Sequence, residues 1–355
     1  MATFKHLIST LCILGFLMSC SSSKDSTSRS AEKKESYQPP ITQNYTAAFP
    51  QSDVSDKLKQ VQQSVVRIVA TGFYESYSFS DKLVTLPDIN TNGAEAIASS
   101  RYVFEESTAG TSVILDQSSR NFLLISSEHV VSFPDTAITY YEGDEYPSKR
   151  YVKSISVLRR KVNLIYTGRE IRSFDILATN KSLDLALLNI ELSKIDNLDQ
   201  YPLNLKFGNS SFLQLGSFLY ILGFPKGYAM VTRGVASSSE SWNDRFFVTD
   251  AVFNPGISGG PILASRDNFN SFEWVGMVSS ATASHENVLV PRPKAEKYSR
   301  ITQVYLDTAY VAQKARINYG IAQAIPINKI KEFLRENEEE VKKLGYSLDR
   351  YNIRP

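Results

Sequence analysis

"NPGISGGPI", residues 254–262, sets Ser258 between glycines on both sides, with Pro261 just beyond. Glycine lets a backbone take φ > 0 and lets another strand or a substrate carbonyl come close. So much glycine around one hydroxyl reads in two ways. It is either a turn, or a nucleophile whose nearby N–H groups, on Gly256 and Ser258, converge on a developing oxyanion. The choice depends on whether the other residues supply a base and an acid in a compatible order.

The same letters satisfy Gly-x-Ser-x-Gly, a strand-to-helix nucleophile turn that needs a helix directly after the serine and the order Ser, acid, His. Here Pro261 and a β-like "ILA" follow, and Asp267 and His285 fall within one loop and strand of the serine. That reading is rejected. The order His, Asp, Ser works better. The chain has three histidines, His6, His129 and His285. His129 ends "FLLISSEHVV", where an apolar strand fixes the backbone of a base at the surface. Asp184 opens the buried strand of "SLDLALLNIEL". Taken singly, these read as a surface histidine and a strand-end aspartate. Together with Ser258 they are three residue types in one catalytic order, each at a strand edge.

A chain of 355 residues with 42% hydrophobic and 21% charged residues is globular, with enough apolar side chains for a core. A net charge of +2 leaves no nucleic-acid footprint. The start, "MATFKHLISTLCILGFLMSC", has Lys5 and then an apolar run from Leu7 to Met18, too short to span a bilayer and shaped like a signal peptide. Its end, Leu17-Met18-Ser19-Cys20, resembles the bacterial lipobox. That likeness implies removal of residues 1–19 and lipidation of Cys20, and hence a membrane partner through the lipid. With Cys12 inside the signal, the domain is expected to hold no disulfide. Residues 20–52, Ser/Lys-rich at first, are expected to form a disordered tether of about 30 Å r.m.s.. Ser21 is compatible with outer-membrane sorting, so the expected location is the cell envelope, outer membrane before inner.

From residue 53 short β-branched and aromatic runs follow one another: "VVRIVA" (65–70), "TSVILD" (111–116), "NFLLISS" (121–127), "VNLIYT" (162–167), "LALLNIEL" (185–192), "FLYILGF" (218–224), "EWVGMVSSA" (273–281) and "YGIAQAIP" (319–326). Many short strands with little helix predict an all-β sandwich or barrel. One helix is predicted near the end, where Ile327, Ile330, Phe333, Leu334, Val341 and Leu344 recur at helical spacing before Gly345. Two stretches, 73–108 and 284–316, fit no ladder and read as long insertions able to gate or block a cleft. The domain is expected over 53–345, with 346–355 as a C-terminal tail.

"ISSEHVV", "DLALL" and "TDAVFNPGISGGPI" resemble the three catalytic segments of chymotrypsin-fold serine proteases of the bacterial HtrA/Deg type. "VQQSVVRI", "AGTSVILD", "LGSFLYILGFPKGYAMVTRGVASS" and "YGIAQAIPINKIKEFL" resemble further segments of that family, all in order over roughly 60–335. The resemblance implies a double β-barrel with a C-terminal helix and a site in the cleft between barrels. It implies Ser258 as nucleophile, His129 as base, Asp184 as its orienting acid, and the amides of Gly256 and Ser258 as the oxyanion hole. It also implies a supporting hydroxyl at Ser279, no metal and no cofactor. Val252, six residues before the serine, stands where trypsin-like enzymes keep the pocket floor, with Phe253 beside it. An apolar floor leaves a buried Lys or Arg unmatched, so cleavage of polypeptide after small or medium apolar residues is expected.

The chain departs from the pattern in three ways. Ile257 stands where the family usually has Asn or Asp, and a lost oxyanion donor costs on the order of 10²–10³ in rate. Glu128 replaces a small or amide residue. No PDZ module is expected after the closing helix. An alternative therefore stays open: a weak or inactive protease-fold lipoprotein serving as a binding or adhesion module.

Overall fold

"NFLLIS" and "LALLNIE" are apolar at nearly every position, not at every second one, which is what a strand covered on both faces requires. In the structure Phe122 and Leu124 line the inside of one sheet, while Leu123 and Ile125 face the other way into a second core. Ala186, Leu188 and Ile190 alternate with Leu185 and Leu187 in the same manner. The computed structural model describes residues 42–119, 121–141, 149–167, 170–191, 200–238, 245–291 and 309–353. The expected signal segment and Cys20 lie outside the described residues.

The first sheet contains β1 (Val65–Ser78), β2 (Val84–Thr85), β3 (Ser100–Gln117), β4 (Asn121–Ser126), β5 (Thr136–Tyr140), β6 (Tyr151–Thr167), β7 (Glu170–Ser173), β8 (Asp175–Asn180) and β9 (Leu185–Glu191). Its order is β2-β6-β1-β3-β4-β9-β8, with β5 and β7 also on β6. The run from β7 into β8 pairs first with β6 and then with β9, and this curls the sheet into a barrel. The second sheet holds β10 (Lys206–Phe207), β11 (Phe218–Gly223), β12 (Met230–Ser238), β13 (Phe247–Thr249), β14 (Pro261–Ala264), β15 (Glu273–Pro291) and β16 (Ala309–Pro326). Here β15 pairs with both β14 and β16, so six strands close on themselves and β10 hangs outside. The fold is the all-β double barrel that the strand pattern and the resemblance imply.

Among the described residues six short α-helices accompany the strands: α1 (Ser55–Gln62), α2 (Leu86–Asn92), α3 (Ala94–Ile97), α4 (Glu128–Val131), α5 (Ile327–Glu336) and α6 (Glu338–Lys343). The single helix expected over 327–344 is two, broken at Asn337. Ile327, Ile330, Phe333 and Leu334 of α5 enter the largest core, which also takes Val113 and Leu187 from the first sheet and Leu222, Leu263 and Trp274 from the second. Among the described residues no helix is long and apolar enough to cross a membrane.

Among the described residues, both stretches expected as long insertions carry paired strand. Residues 73–78 continue β1 and pair with 100–105 of β3 in unbroken register, down to Ser78 opposite Ser100. Alternation is hidden there because Glu75 is buried and ion-paired with Arg101 and Arg159. Tyr77, Phe79, Val84, Ile89 and Val152 give this extension a small core of its own. In the described part of the second stretch, 284–291 and 309–316, β15 and β16 pair as a ribbon from Ala283–Ile317 to Pro291–Ala309.

Both ends of the domain are docked. The last part of the expected tether is not disordered: Tyr45 is buried, donates to Glu273 Oε2 at 2.6 Å and accepts from Arg266 Nη2 at 2.9 Å. The C-terminal tail is core. Tyr346, Leu348, Tyr351 and Ile353 are buried, and the Tyr351 hydroxyl donates to the carbonyls of Leu115 (2.6 Å) and Leu203 (3.0 Å). Truncating a buried aromatic costs about 3–5 kcal/mol. Tyr351→Ala is predicted to lose that much in urea-unfolding measurements, whereas an unpacked tail would lose nothing.

Candidate active site

Asp184 is the last residue of a turn and has φ +58°, a left-handed conformation that Asp and Asn adopt more readily than other residues with side chains. Its carbonyl accepts the N–H of Glu128, and its Oδ1 accepts the N–H of His129 at 3.0 Å. The short helix α4 is thereby tied to the acid before any ring contact forms. His129 Nδ1 lies 2.9 Å from both carboxylate oxygens, and the Ser279 hydroxyl donates to Oδ2 at 2.7 Å. Burial pushes the Asp184 carboxyl up. The hydrogen bonds from the His129 ring and N–H, the imidazole charge and the Ser279 hydroxyl outweigh that, and hold it below the usual carboxylate range. An ionised carboxylate only accepts, so Nδ1 carries a proton, and in the neutral imidazole Nε2 is left as an acceptor.

Ser258 comes from the other barrel. Its hydroxyl donates to the Ser279 carbonyl at 2.9 Å, and no hydrogen bond joins it to His129 among the described residues. Both side chains line one cavity of about 250 Å³, with Thr108, Phe253, Pro255 and Val278. A larger cavity, about 660 Å³, lies beside α1 and shares no residue with this one.

The backbone from 254 to 260 explains the glycines. Ile257 donates to Asn254, Gly259 to Val278 and Gly260 to Ile257, all through backbone N–H to carbonyl bonds. The N–H groups of Gly256 and Ser258 have no acceptor among the described residues. The Pro255 carbonyl accepts from Lys226 N–H at 2.8 Å. The peptide is trans, so the Gly256 N–H points the opposite way. Gly256 has φ +103° and Gly259 φ +87°. A Cβ on Gly259 would run into the carbonyl of Thr111 on β3, and one on Gly260 into that of Leu222. The glycines thus let two barrels meet backbone to backbone and leave two adjacent donors unpaired.

The expected residues divide. His129, Asp184 and Ser279 are joined by hydrogen bonds, and Ser258 reaches the group through the Ser279 carbonyl. Phe253 is buried and lines the cavity. Val252 does not: it is 46% exposed and outside the cavity lining, because successive residues of an extended segment point to opposite sides. Val252, expected at the pocket floor, therefore lies off the cavity, whose apolar lining includes Phe253 and Val278. Ile257 is buried in the second barrel's core against Gly223.

Three contacts had no signal in the sequence reading. The Ser127 hydroxyl donates to the Val278 carbonyl across the barrels at 3.1 Å, Lys226 holds the Pro255 carbonyl, and Thr111 bonds to both Gly256 and Ser258. A Ser or Thr within an apolar strand is visible in sequence, but its partner is not.

Residues 110–276 match the family described as trypsin-like peptidase domain. The chain is 37% identical over 95 residues to a protein of Chlamydia trachomatis serovar D named "Probable periplasmic serine endoprotease DegP-like", covering 25% of this chain and 18% of that one. It is 29% identical over 170 residues to the protein of that name in Chlamydia pneumoniae, covering 45% and 27%. It is 33% identical over 95 residues to the one in Pseudomonas fulva, covering 25% and 18%. The matched stretch thus spans between 18% and 27% of these relatives' own length.

Two measurements test this geometry. Gly259→Ala adds a left-handed strain and a backbone collision, each worth about 1–3 kcal/mol, so a loss of stability in that combined range is predicted by thermal unfolding. A carboxyl whose folded pKa is lowered contributes stability above its unfolded pKa and loses it as pH falls through the folded one. An NMR pH titration is predicted to find Asp184 ionising below the ordinary aspartate range.

Proposed function

We propose that this chain, whose residues 110–276 match the trypsin-like peptidase domain and whose relatives carry DegP-like names, is an active serine endopeptidase of the HtrA/Deg type for unfolded or exposed polypeptides. The observation that carries this is the pair of unpaired N–H groups on Gly256 and Ser258, with the Pro255 carbonyl turned away to Lys226. Two donors held ready beside a hydroxyl suit a tetrahedral oxyanion, and they need no rearrangement at the moment of attack.

In the reaction, rotation about the Ser258 Cα–Cβ bond moves the hydroxyl from the Ser279 carbonyl towards His129 Nε2. The oxygen attacks the scissile carbonyl as Nε2 takes its proton. The oxyanion lies on the N–H groups of Gly256 and Ser258, and the Asp184 carboxylate stabilises the imidazolium. His129 returns the proton to the leaving amine. Water then repeats the sequence on the acyl-serine, releasing the acid and restoring Ser258. Ser279 orients Asp184 through its hydroxyl.

Phe253 and Val278 on the cavity wall, with no Lys, Arg, Asp or Glu among its lining, favour small or medium apolar side chains before the scissile bond. The signal-like start and the lipobox-like end at Cys20 support a lipid anchor, and the word periplasmic in the relatives' names supports a place in the cell envelope.

A fluorophosphonate probe is predicted to label the exported, folded protein and to lose that labelling in Ser258→Ala. A peptide-library digest is predicted to show apolar residues before the cut. An unlabelled folded protein would favour the binding-module alternative, and an Arg or Lys preference would overturn the pocket reading.

A further inference from the structure

We propose that Thr111 is the positioning residue of the oxyanion site, supplying from the first barrel the polar brace that Ile257 cannot give. The inference rests on the reaction proposed above. Thr111 is fully buried on β3, and every polar group it has is used. Its hydroxyl accepts the Phe224 N–H at 2.9 Å and donates to the Gly256 carbonyl at 2.8 Å. Its N–H donates to the Ser258 carbonyl at 2.8 Å, and its carbonyl accepts the Ser126 hydroxyl at 2.7 Å.

These bonds act on the orientation of the two free donors. The Gly256 N–H lies in the peptide plane of the Pro255 carbonyl, so its direction follows that plane, and a glycine has no side chain to hold the planes on either side of it. The plane before Gly256 is held by Lys226 N–H on the Pro255 carbonyl, and the plane after it by the Thr111 hydroxyl. Phe224 and Lys226 belong to one tight turn, so the same hydroxyl also steadies the turn that presents the Lys226 N–H. Ile257 anchors the loop by packing against Gly223, but dispersion contacts are not directional and do not aim a carbonyl. Without the hydroxyl, a buried carbonyl and a buried N–H lose their partner together. The plane between Gly256 and Ile257 then keeps only the Ile257 N–H bond to Asn254, and the Phe224–Lys226 turn that holds the Pro255 carbonyl, and with it the Gly256 N–H, loses its anchor in the first barrel. The cavity wall stays in place, so substrate binding is spared.

The test uses the full chain and a peptide that the wild type cleaves. Thr111→Val and Thr111→Ala are expected to lower kcat about 10²–10³-fold, the cost of losing one oxyanion donor, with KM changed less than threefold. Thr111→Ser is expected to restore kcat to within tenfold. Affinity for a peptide boronate should fall in step with kcat, while affinity for the product peptide should not. Thermal unfolding identifies which variants are folded, and the smaller Ala variant serves if Val does not fold. A folded Val or Ala variant with kcat within threefold of wild type overturns the proposal, as does a loss that serine does not rescue. If the wild type cleaves nothing, the proposed reaction fails, and crystal structures of wild type and Thr111→Ala decide the positioning role separately. A Gly256 carbonyl that keeps its direction in the Ala variant sinks it.

Discussion

A backbone contact between the two barrels, where the Thr111 carbonyl of β3 faces the bare Cα of Gly259, is the constraint on which the rest depends. One barrel carries an imidazole and a carboxylate, and the other a hydroxyl and two spare N–H donors. Such groups meet only if the sheets touch with nothing between them. A side chain at 259 would force them apart, and the bonds from Ser127 to Val278 and from Ser279 to Asp184 cross the same seam. These polar links aim the groups, while apolar contact holds the barrels together.

That apolar contact comes from strands with two inner faces. β4, β9, β11 and β14 each give one face to a barrel interior and the other to the shared core, where α5 and the C-terminal residues pack as well. Fully burying a Leu or Ile side chain is worth about 1.5–3 kcal/mol. The alternating sides of β4 and β9 therefore stabilise two interfaces with one strand. The cost falls on the polar residues that must share this space, which is why Thr111, Ser126 and Ser127 all have bonded hydroxyls.

Much of this was legible in the sequence, for local reasons. The strand runs show as β-branched and aromatic blocks, and His129, Asp184 and Ser258 stand at their ends. The glycines of 256–260 announce a close approach without naming what approaches. Long-range pairing was not legible. Residues 73–78 read as loop because their buried carboxylate is neutralised by arginines distant in sequence, and 42–50 read as tether because the partners of Tyr45 lie more than 160 residues away. Val252 and Phe253 stand side by side in the sequence, yet of the two only Phe253 lines the cavity, while Val252 is exposed. Thr111 looked like any polar residue in a strand. Its importance lies in Phe224, Gly256 and Ser258, whose nearness only the fold reveals.

The docked residues 346–353 have a mechanical consequence. Ser347 N–H and Arg350 bond to Asp116, and Tyr351 to the Leu115 carbonyl, so the strand bearing Thr111 is clamped from a segment far away along the chain. Loosening the Asp116 anchor would slacken β3, and with it the loop that Thr111 holds, without altering any side chain that lines the cavity.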